Sequence, residues 1–158
     1  MGSVEPIWVV DNLFVDSLMF LKVLPPDVHD LADLGTGAGF PGVPLRIVQE
    51  DLQLTLVEAR QRRTSFLSAL TRELALSDVR IVNERAEVLI ERSELRFDAV
   101  VLRCAGPLSD VFPVASKLVK SRGIVVAAGP PEPTPNSSHE WINVTTSHRT
   151  RRFAVMRV

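Results

Sequence analysis

Residues 33–44 read DLGTGAGFPGVP, and this stretch decides how the rest of the chain is interpreted. It contains four of the chain's eight glycines and is preceded and followed by apolar runs, which is typical of a turn from a strand into a helix. Glycine adopts positive φ and lets a ligand approach bare backbone, while the first amides of a helix attract anions. The stretch therefore predicts a ligand-binding turn at the end of a strand.

Apolar strands alternate with amphipathic helices on both sides of this turn. The predicted strands are residues 28–34, 52–58, 79–84, 97–104 and 123–128. The predicted helices are residues 7–23, 41–50, 62–76, 86–92 and 108–119, and residues 141–148 and 151–158 predict a terminal antiparallel pair. Pro41 and Pro44 fit the first turn of a helix, where a missing amide hydrogen costs little. This order predicts an α/β fold with a mostly parallel seven-stranded sheet and helices on both faces.

The length of 158 residues predicts a single domain over 1–158. Within it we expect an amino-terminal helix at 7–24, a core at 28–128 that carries the binding turn, and terminal strands at 140–158. The proline-rich residues 129–139 are too close to the end to link a second domain, so we interpret them as a surface loop.

Composition excludes several classes of protein. The chain is 46% apolar and 23% charged with a net charge of −1, which is ordinary for a globular protein and does not indicate a purely electrostatic nucleic-acid binder. It has neither a long uncharged apolar run nor a signal peptide, so we expect a cytoplasmic protein without a membrane partner. Cys104 is the only cysteine, which excludes an internal disulfide and a multi-cysteine metal site, and no metal is expected.

A carboxylate lies where such a fold binds ribose. Glu58 ends the second predicted strand, nineteen residues after Gly39, and a carboxylate at this position can accept both ribose hydroxyls. The turn itself reads G-x-G-x-G over Gly35, Gly37 and Gly39 and follows an acid, Asp33. That acid would repel a pyrophosphate but suits the ammonium group of an amino-acid-bearing nucleoside. The pattern therefore favours S-adenosylmethionine as the ligand.

Four segments together carry a resemblance: DLGTGAGFPGVPLRI, LTLVEARQRRTSFL, ERAEVL and FDAVVLRCAG. They resemble the bacterial 16S ribosomal RNA guanine-N7 methyltransferase family, also called the glucose-inhibited division protein B family. The likeness runs over about residues 16–129. It implies a Rossmann-like methyltransferase fold and transfer of a methyl group from S-adenosylmethionine to a guanine N7 of small-subunit ribosomal RNA, with ribosomal RNA or the small ribosomal subunit as partner.

The resemblance also implies roles for single residues. Gly35 matches a backbone contact with the cofactor, Phe40 a wall beside it, and Glu58 the ribose acid. Ala86 and Glu87 match a pair that frames the adenine. Arg103 matches an arginine beside the cofactor and the substrate entrance, a candidate for positioning either one. No catalytic residue is assigned, because guanine N7 is already a lone pair and needs no general base.

The chain departs from the family pattern on the substrate side. Leu13, Leu102 and Ala128 replace a histidine, a serine and a lysine, and an amino-terminal segment is lacking, so we expect a divergent or amino-terminally shortened member. A non-catalytic cofactor-binding or RNA-binding relative and a methyltransferase of a different substrate remain alternatives. Cys104 lies close to where a cytosine-C5 enzyme carries its nucleophile, although a buried apolar role suits it better.

Arginine accounts for fifteen of the eighteen basic residues, and it concentrates in the sequences RQRR and RTRR. Arginine suits bidentate contact with phosphate, although a solvated charged face is the simpler interpretation of either cluster. The proline-rich loop leaves the fifth strand at the same sheet edge as the glycine turn. We therefore predict RNA contacts beside it at Arg149, Arg151 and Arg152.

Overall fold

The computed structural model describes residues 5–92, 95–103, 106–129, 140–147 and 149–158. Seven strands of these ranges form one sheet: β1 (Asp30–Leu34), β2 (Gln53–Val57), β3 (Val79–Val82), β4 (Phe97–Arg103), β5 (Val119–Ala128), β6 (Glu140–Thr145) and β7 (Thr150–Arg157). Their order is β3-β2-β1-β4-β5-β7-β6. Strands β1 to β5 are parallel, while β7 is antiparallel to both β5 and β6. The predicted mostly parallel, seven-stranded α/β sheet is confirmed.

Helices cover both faces of this sheet. They are α1 (Pro6–Val9), α2 (Asp16–Leu18), α3 (Gly42–Val48), α4 (Gln61–Glu73), α5 (Ala86–Arg92) and α6 (Leu108–Ser116). One buried cluster joins the sheet to Phe20, Val43 and Leu67, on the face of α3 and α4. The other joins the opposite face to Leu89 and Phe112, from α5 and α6. The alternating pattern of the sequence is therefore realised as a three-layer arrangement.

The amino-terminal segment is helical, as predicted for residues 7–23, but it is not one regular helix. A π-helical stretch, Val10–Val15, joins α1 to α2, and a 3₁₀ turn, Met19–Lys22, follows α2. The segment packs beside α3 and thereby reaches the glycine turn.

The clearest difference from the predicted boundaries lies between α6 and β5. Helix α6 ends at Ser116 and β5 begins at Val119, whereas the sequence predicts a helix as far as residue 119 and a strand only from residue 123. Val119 pairs with Phe97 before a bulge in the ladder, so tertiary pairing extends the strand through a polar stretch. Cys104 and most of the proline-rich loop lie outside the described residues.

Two negative findings hold for the described ranges. None of their helices has the length and apolar character needed to cross a membrane. In the same part of the chain, no three His, Cys, Asp or Glu side chains gather in a group that could hold a metal ion.

Candidate functional site

The carboxyl ends of β1, β2 and β4 open onto a pocket of about 490 Å³. The sheet order reverses at β1, because β2 and β3 lie on one side of it and β4 and β5 on the other. Open α/β sheets bind ligands at such a switch point, and the volume suits a small organic molecule. Of the residues predicted to bind a cofactor, the pocket lining contains Gly35, Glu58, Ala86 and Glu87. The others, which belong to the glycine turn and the end of β4, are Asp33, Gly37, Gly39, Phe40 and Arg103.

The turn needs its glycines for two separate reasons. Gly35, Gly37 and Gly39 all have positive φ, at 69°, 62° and 95°. In addition, a Cβ at Gly39 would lie 2.7 Å from the Val43 side chain, which leaves no space for any other residue. The Gly35 amide donates to the Val57 carbonyl over 2.8 Å, so the turn is fixed to the end of β2 and brings its backbone close to Glu58.

Glu58 is a buried carboxylate held by three donors. Its Oε1 accepts from the Arg60 amide over 2.9 Å. Its Oε2 accepts from the Gly37 amide and from Arg63 Nη1, each over 3.2 Å. Burial acts to raise the pKa of Glu58, but the Arg60 amide, the Arg63 guanidinium and the Gly37 amide outweigh it and lower the pKa below its usual value. Glu58 is therefore ionised at neutral pH and faces the pocket as an acceptor.

Asp33 does not lie where the sequence predicted it. The sequence suggested that its carboxylate meets a ligand's ammonium group, but the residue is fully buried beneath the turn. Its Oδ2 accepts from the Thr36 hydroxyl over 2.7 Å and from the Gly42 amide over 2.8 Å. Oδ1 has no hydrogen-bond partner among the described residues. The carboxylate is thus a support that joins the turn to the start of α3, rather than part of the pocket surface.

Gly42 makes this support geometrically feasible. A Cβ at this position would lie 2.8 Å from both Asp33 Oδ2 and the Leu56 side chain. Gly42 therefore permits close packing of the start of α3 against β1 and β2. Pro41 occupies the cap position before α3 and Pro44 its first turn, so the prolines stand where a helix tolerates them.

The buried Asp33 predicts a pH-dependent stability. Burial raises its pKa to about 6, since the bonds from Thr36 and Gly42 only partly compensate. The folded protein therefore holds the Asp33 proton more tightly than the unfolded chain does. This difference adds on the order of 3 kcal/mol to the free energy of unfolding. The added stability is fully present below the pKa of Asp33 in the unfolded chain and is lost as the pH rises through about 6.

Asp33→Asn should remove the pH dependence of stability that comes from Asp33, because the amide is neutral at every pH and keeps an oxygen for Thr36 and Gly42. Urea unfolding of both proteins between pH 4 and pH 8 measures their free energies of unfolding. The difference between the two free energies of unfolding should move in favour of the variant as the pH rises. Parallel profiles for the two proteins would contradict this assignment.

The other end of the site lies against the amino-terminal segment. The Phe40 ring meets the Phe14 ring edge-on at 5.1 Å between centroids. The Arg103 guanidinium stands 5.5 Å from the Phe40 centroid, and its Nη1 donates to the Asn12 carbonyl over 3.2 Å. Phe40 and Arg103 therefore form one contact surface with residues 12–14, at the end of the glycine turn away from Ala86.

Asp16 organises this second area and was missed by the sequence reasoning. It is 1% exposed, and three arginines bring a guanidinium nitrogen to its carboxylate. Arg103 Nη1 lies 3.7 Å from Oδ2, Arg149 Nη1 lies 3.5 Å from Oδ1, and Arg151 Nε donates to Oδ1. The sequence shows only that Asp16 lies among apolar residues of an amphipathic segment, and this does not indicate which cations it contacts.

The predicted RNA-binding arginines do not form one surface. Arg149 and Arg151 turn toward Asp16, and Arg149 also donates to Asn12 Oδ1 over 2.9 Å. Arg152 lies on the opposite face of β7, where its Nε donates to Asn143 over 3.1 Å. Successive residues of a strand point to opposite faces, so a cluster in sequence is divided in space.

The start of α6 supplies a pocket wall that the sequence reasoning did not assign. Pro107 precedes the helix and Asp110 stands in its first turn, and both line the pocket. Leu102, one of the departures from the family pattern, lines it from β4. Of the other two departures, Leu13 is half-buried in the amino-terminal segment and Ala128 pairs with Arg103 at the end of β5.

Comparison with known proteins shows which family the chain resembles. The family model described as rRNA small subunit methyltransferase G matches residues 3–138. The ribosomal RNA small subunit methyltransferase G of Syntrophus aciditrophicus is 42% identical over 121 residues, which cover 75% of this chain and 50% of that protein. The protein of the same name from Clostridium botulinum is 33% identical over 146 residues, covering 90% and 59%. The chain thus spans about half the length of the curated relatives it matches.

Solved structures agree on the fold. A point mutant of MtNAS in complex with S-adenosylmethionine superposes with a TM-score of 0.68 at 13% identity, covering 90% of this chain and 60% of that one. A SAM-dependent O-methyltransferase from Thermotoga maritima superposes at 0.63 with 16% identity, covering 99% and 66%. The predicted Rossmann-like methyltransferase fold is confirmed, and with the family match the chain belongs to the rRNA small subunit methyltransferase G family.

Proposed function

We propose that the chain binds S-adenosylmethionine in the pocket beside Glu58 and transfers its methyl group to a guanine N7 of small-subunit ribosomal RNA. The observation that carries the proposal is the buried, ionised Glu58 facing a pocket at the switch point of the sheet, directly across from the glycine turn. The name of the relative at 42% identity, ribosomal RNA small subunit methyltransferase G, supports methyl transfer to small-subunit ribosomal RNA. The guanine N7 target follows from the sequence resemblance.

The residues of the pocket fit this cofactor. Glu58 Oε1 accepts one hydrogen bond and so keeps room for a ribose hydroxyl. Gly35 is exposed and has no side chain to keep a ligand from the backbone. Ala86 and Glu87 begin α5 on the far wall, where a backbone amide and a carboxylate can read the edge of an adenine. When bound, S-adenosylmethionine supplies an electrophilic methyl group on its sulfonium sulfur.

The protein's own contribution is alignment and exclusion of water. Guanine N7 has no proton to lose, so no side chain has to act as a base. Phe40 and Phe14 pack together at the end of the turn and present apolar surface there. Arg103 is held beside them by Asp16 and Asn12, with its side chain 17% exposed. We propose that this surface orients the base and that Arg103 positions the cofactor or the RNA.

A non-catalytic, cofactor-binding relative is the second candidate. It is favoured by Leu102, which lines the pocket where the family resemblance implies a serine, and by Ala128 in place of a lysine. Transfer of tritiated methyl from S-adenosylmethionine to deproteinised small subunits separates the two. Label in N7-methylguanine supports the proposal, whereas cofactor binding without label transfer supports the alternative. Label in another base, or in protein, would assign a different substrate.

Arg152 offers the clearest test of RNA contact, because Arg149 and Arg151 also hold Asp16. Arg152→Ala is expected to weaken binding to small-subunit ribosomal RNA about threefold and to reduce the slope of log affinity against log salt by about one. Arg96→Ala is the matched control, since Arg96 is exposed at the start of β4, on the opposite sheet edge. Filter binding at several salt concentrations measures both. An Arg152→Ala slope equal to that of the wild type would count against this contact.

A further inference from the structure

Arg63 lies across the entrance to Glu58. It belongs to the first turn of α4, and its Nη1 is 3.2 Å from Glu58 Oε2. The same nitrogen would lie 3.7 Å from a Cβ at Gly37, so the guanidinium covers the glycine turn as well. The Arg63 side chain is 47% exposed whereas that of Glu58 is 6% exposed. A half-exposed cation is therefore paired with a buried carboxylate.

The hydrogen-bond capacity of Glu58 is nearly filled by protein donors. A carboxylate offers about four acceptor positions, two on each oxygen. Oε2 already accepts from the Gly37 amide and from Arg63, and Oε1 accepts from the Arg60 amide. The donors of the described residues thus leave one position, on Oε1. A ribose that donates both of its neighbouring hydroxyls to Glu58 needs two, so one protein donor has to leave.

The donor that can leave is Arg63. The Gly37 and Arg60 amides are fixed by the turn and by the start of α4, whereas the guanidinium is attached through a long side chain that already reaches solvent. An ion pair that is half exposed is weak and easily broken, so its loss costs little.

We infer that Arg63 competes with the ribose hydroxyls for Glu58 and so determines how strongly the site selects ribonucleosides. The inference rests on the proposed function, because it takes Glu58 as the ribose acceptor. In the free protein Arg63 neutralises Glu58 and occupies the acceptor position on Oε2 that a ribose hydroxyl would use. Binding of a nucleoside with a free 2′,3′-diol moves the guanidinium away from Oε2, and binding of a nucleoside without that diol leaves it where it is.

Two neutral nucleosides test this by titration calorimetry: 5′-methylthioadenosine and its 2′,3′-dideoxy counterpart. Arg63→Ala is expected to bind the diol ligand about three- to tenfold more tightly than the wild type does, with no change for the dideoxy ligand. Higher ionic strength should strengthen binding of the diol ligand to the wild type, because salt weakens the Arg63–Glu58 pair, and should leave Arg63→Ala unaffected. Neutral ligands remove the direct effect of the lost charge on the ligand.

Arg62→Ala is the matched control. Arg62 is the preceding residue of α4, is exposed, and lies outside the residues that line the pocket, so its removal changes the net charge equally. Arg63→Gln should behave like Arg63→Ala and guards against a folding defect in one variant. Equal or weaker binding of the diol ligand by both Arg63 variants overturns the inference. Failure of the wild type to bind either ligand would instead overturn the proposed function, and this inference with it.

Discussion

Asp16→Ala is expected to lower the free energy of unfolding by about 3 kcal/mol, one of the two largest effects that the structure predicts. The carboxylate is 1% exposed and is shared by Arg103, Arg149 and Arg151. Its loss leaves three guanidinium groups facing one another without a counter-charge. The side chains of these arginines are only 17%, 27% and 35% exposed, so water solvates the three charges only in part. Urea unfolding measures the change.

Asp11→Ala is the control for this prediction. Asp11 lies in the same amino-terminal segment, is exposed, and contacts Arg149 through its backbone carbonyl, which the substitution keeps. It should change stability by less than about 0.5 kcal/mol. Combining Asp16→Ala with Arg151→Ala should recover part of the loss, because one of the unpaired charges is then absent. If Asp16→Ala and Asp11→Ala unfold at the same urea concentration, Asp16 does not neutralise the arginines.

Glu58→Gln is expected to weaken S-adenosylmethionine binding at least about a hundredfold. The amide keeps the shape of the side chain but replaces one acceptor oxygen with a donor. That donor then faces the Gly37 or the Arg60 amide, which are donors too, and the remaining oxygen has to serve both them and the ribose. Charge-assisted hydrogen bonds to the ribose are lost as well.

Glu50→Gln provides the comparison, since Glu50 is exposed beyond the end of α3 and its substitution changes the net charge by the same amount. Calorimetry with S-adenosylmethionine should show binding by Glu50→Gln that equals that of the wild type. Comparable affinities of Glu58→Gln and the wild type would show that the ribose is held elsewhere.

Much of the fold could be predicted because its signals are local. The alternation of strands and helices follows from the spacing of apolar residues within each segment, and the turn follows from glycines that need positive φ. Glu58 could be placed from its position alone, because the end of β2 lies beside the end of β1 in any sheet of this order.

The features that could not be predicted depend on residues that are distant in sequence. Asp33 points to the Gly42 amide, and only the packed start of α3 brings that amide beneath the turn. Asp16 meets Arg103 and Arg151 because β7 begins at the edge of the sheet where β4 ends, and nothing local to residue 16 indicates this. The strand alternation that separates Arg152 from Arg151 was predictable in principle, once residues 151–158 were assigned to a strand.

The competition at Glu58 connects these observations to function. The same carboxylate fixes the glycine turn through Gly37, holds Arg63 in the free protein, and is the proposed ribose acceptor. In such a site a ribonucleoside has to displace Arg63 before both hydroxyls reach Glu58, so Arg63 weakens binding of diol ligands and reduces the preference of the pocket for them over deoxy ligands.

Titration calorimetry of S-adenosylmethionine into the wild-type chain measures whether the pocket beside Glu58 binds this cofactor. We expect one binding site per chain, displacement of the bound cofactor by 5′-methylthioadenosine, and loss of the binding heat in Glu58→Gln. Absence of binding at about 1 mM ligand, or binding that persists unchanged in Glu58→Gln, would contradict it.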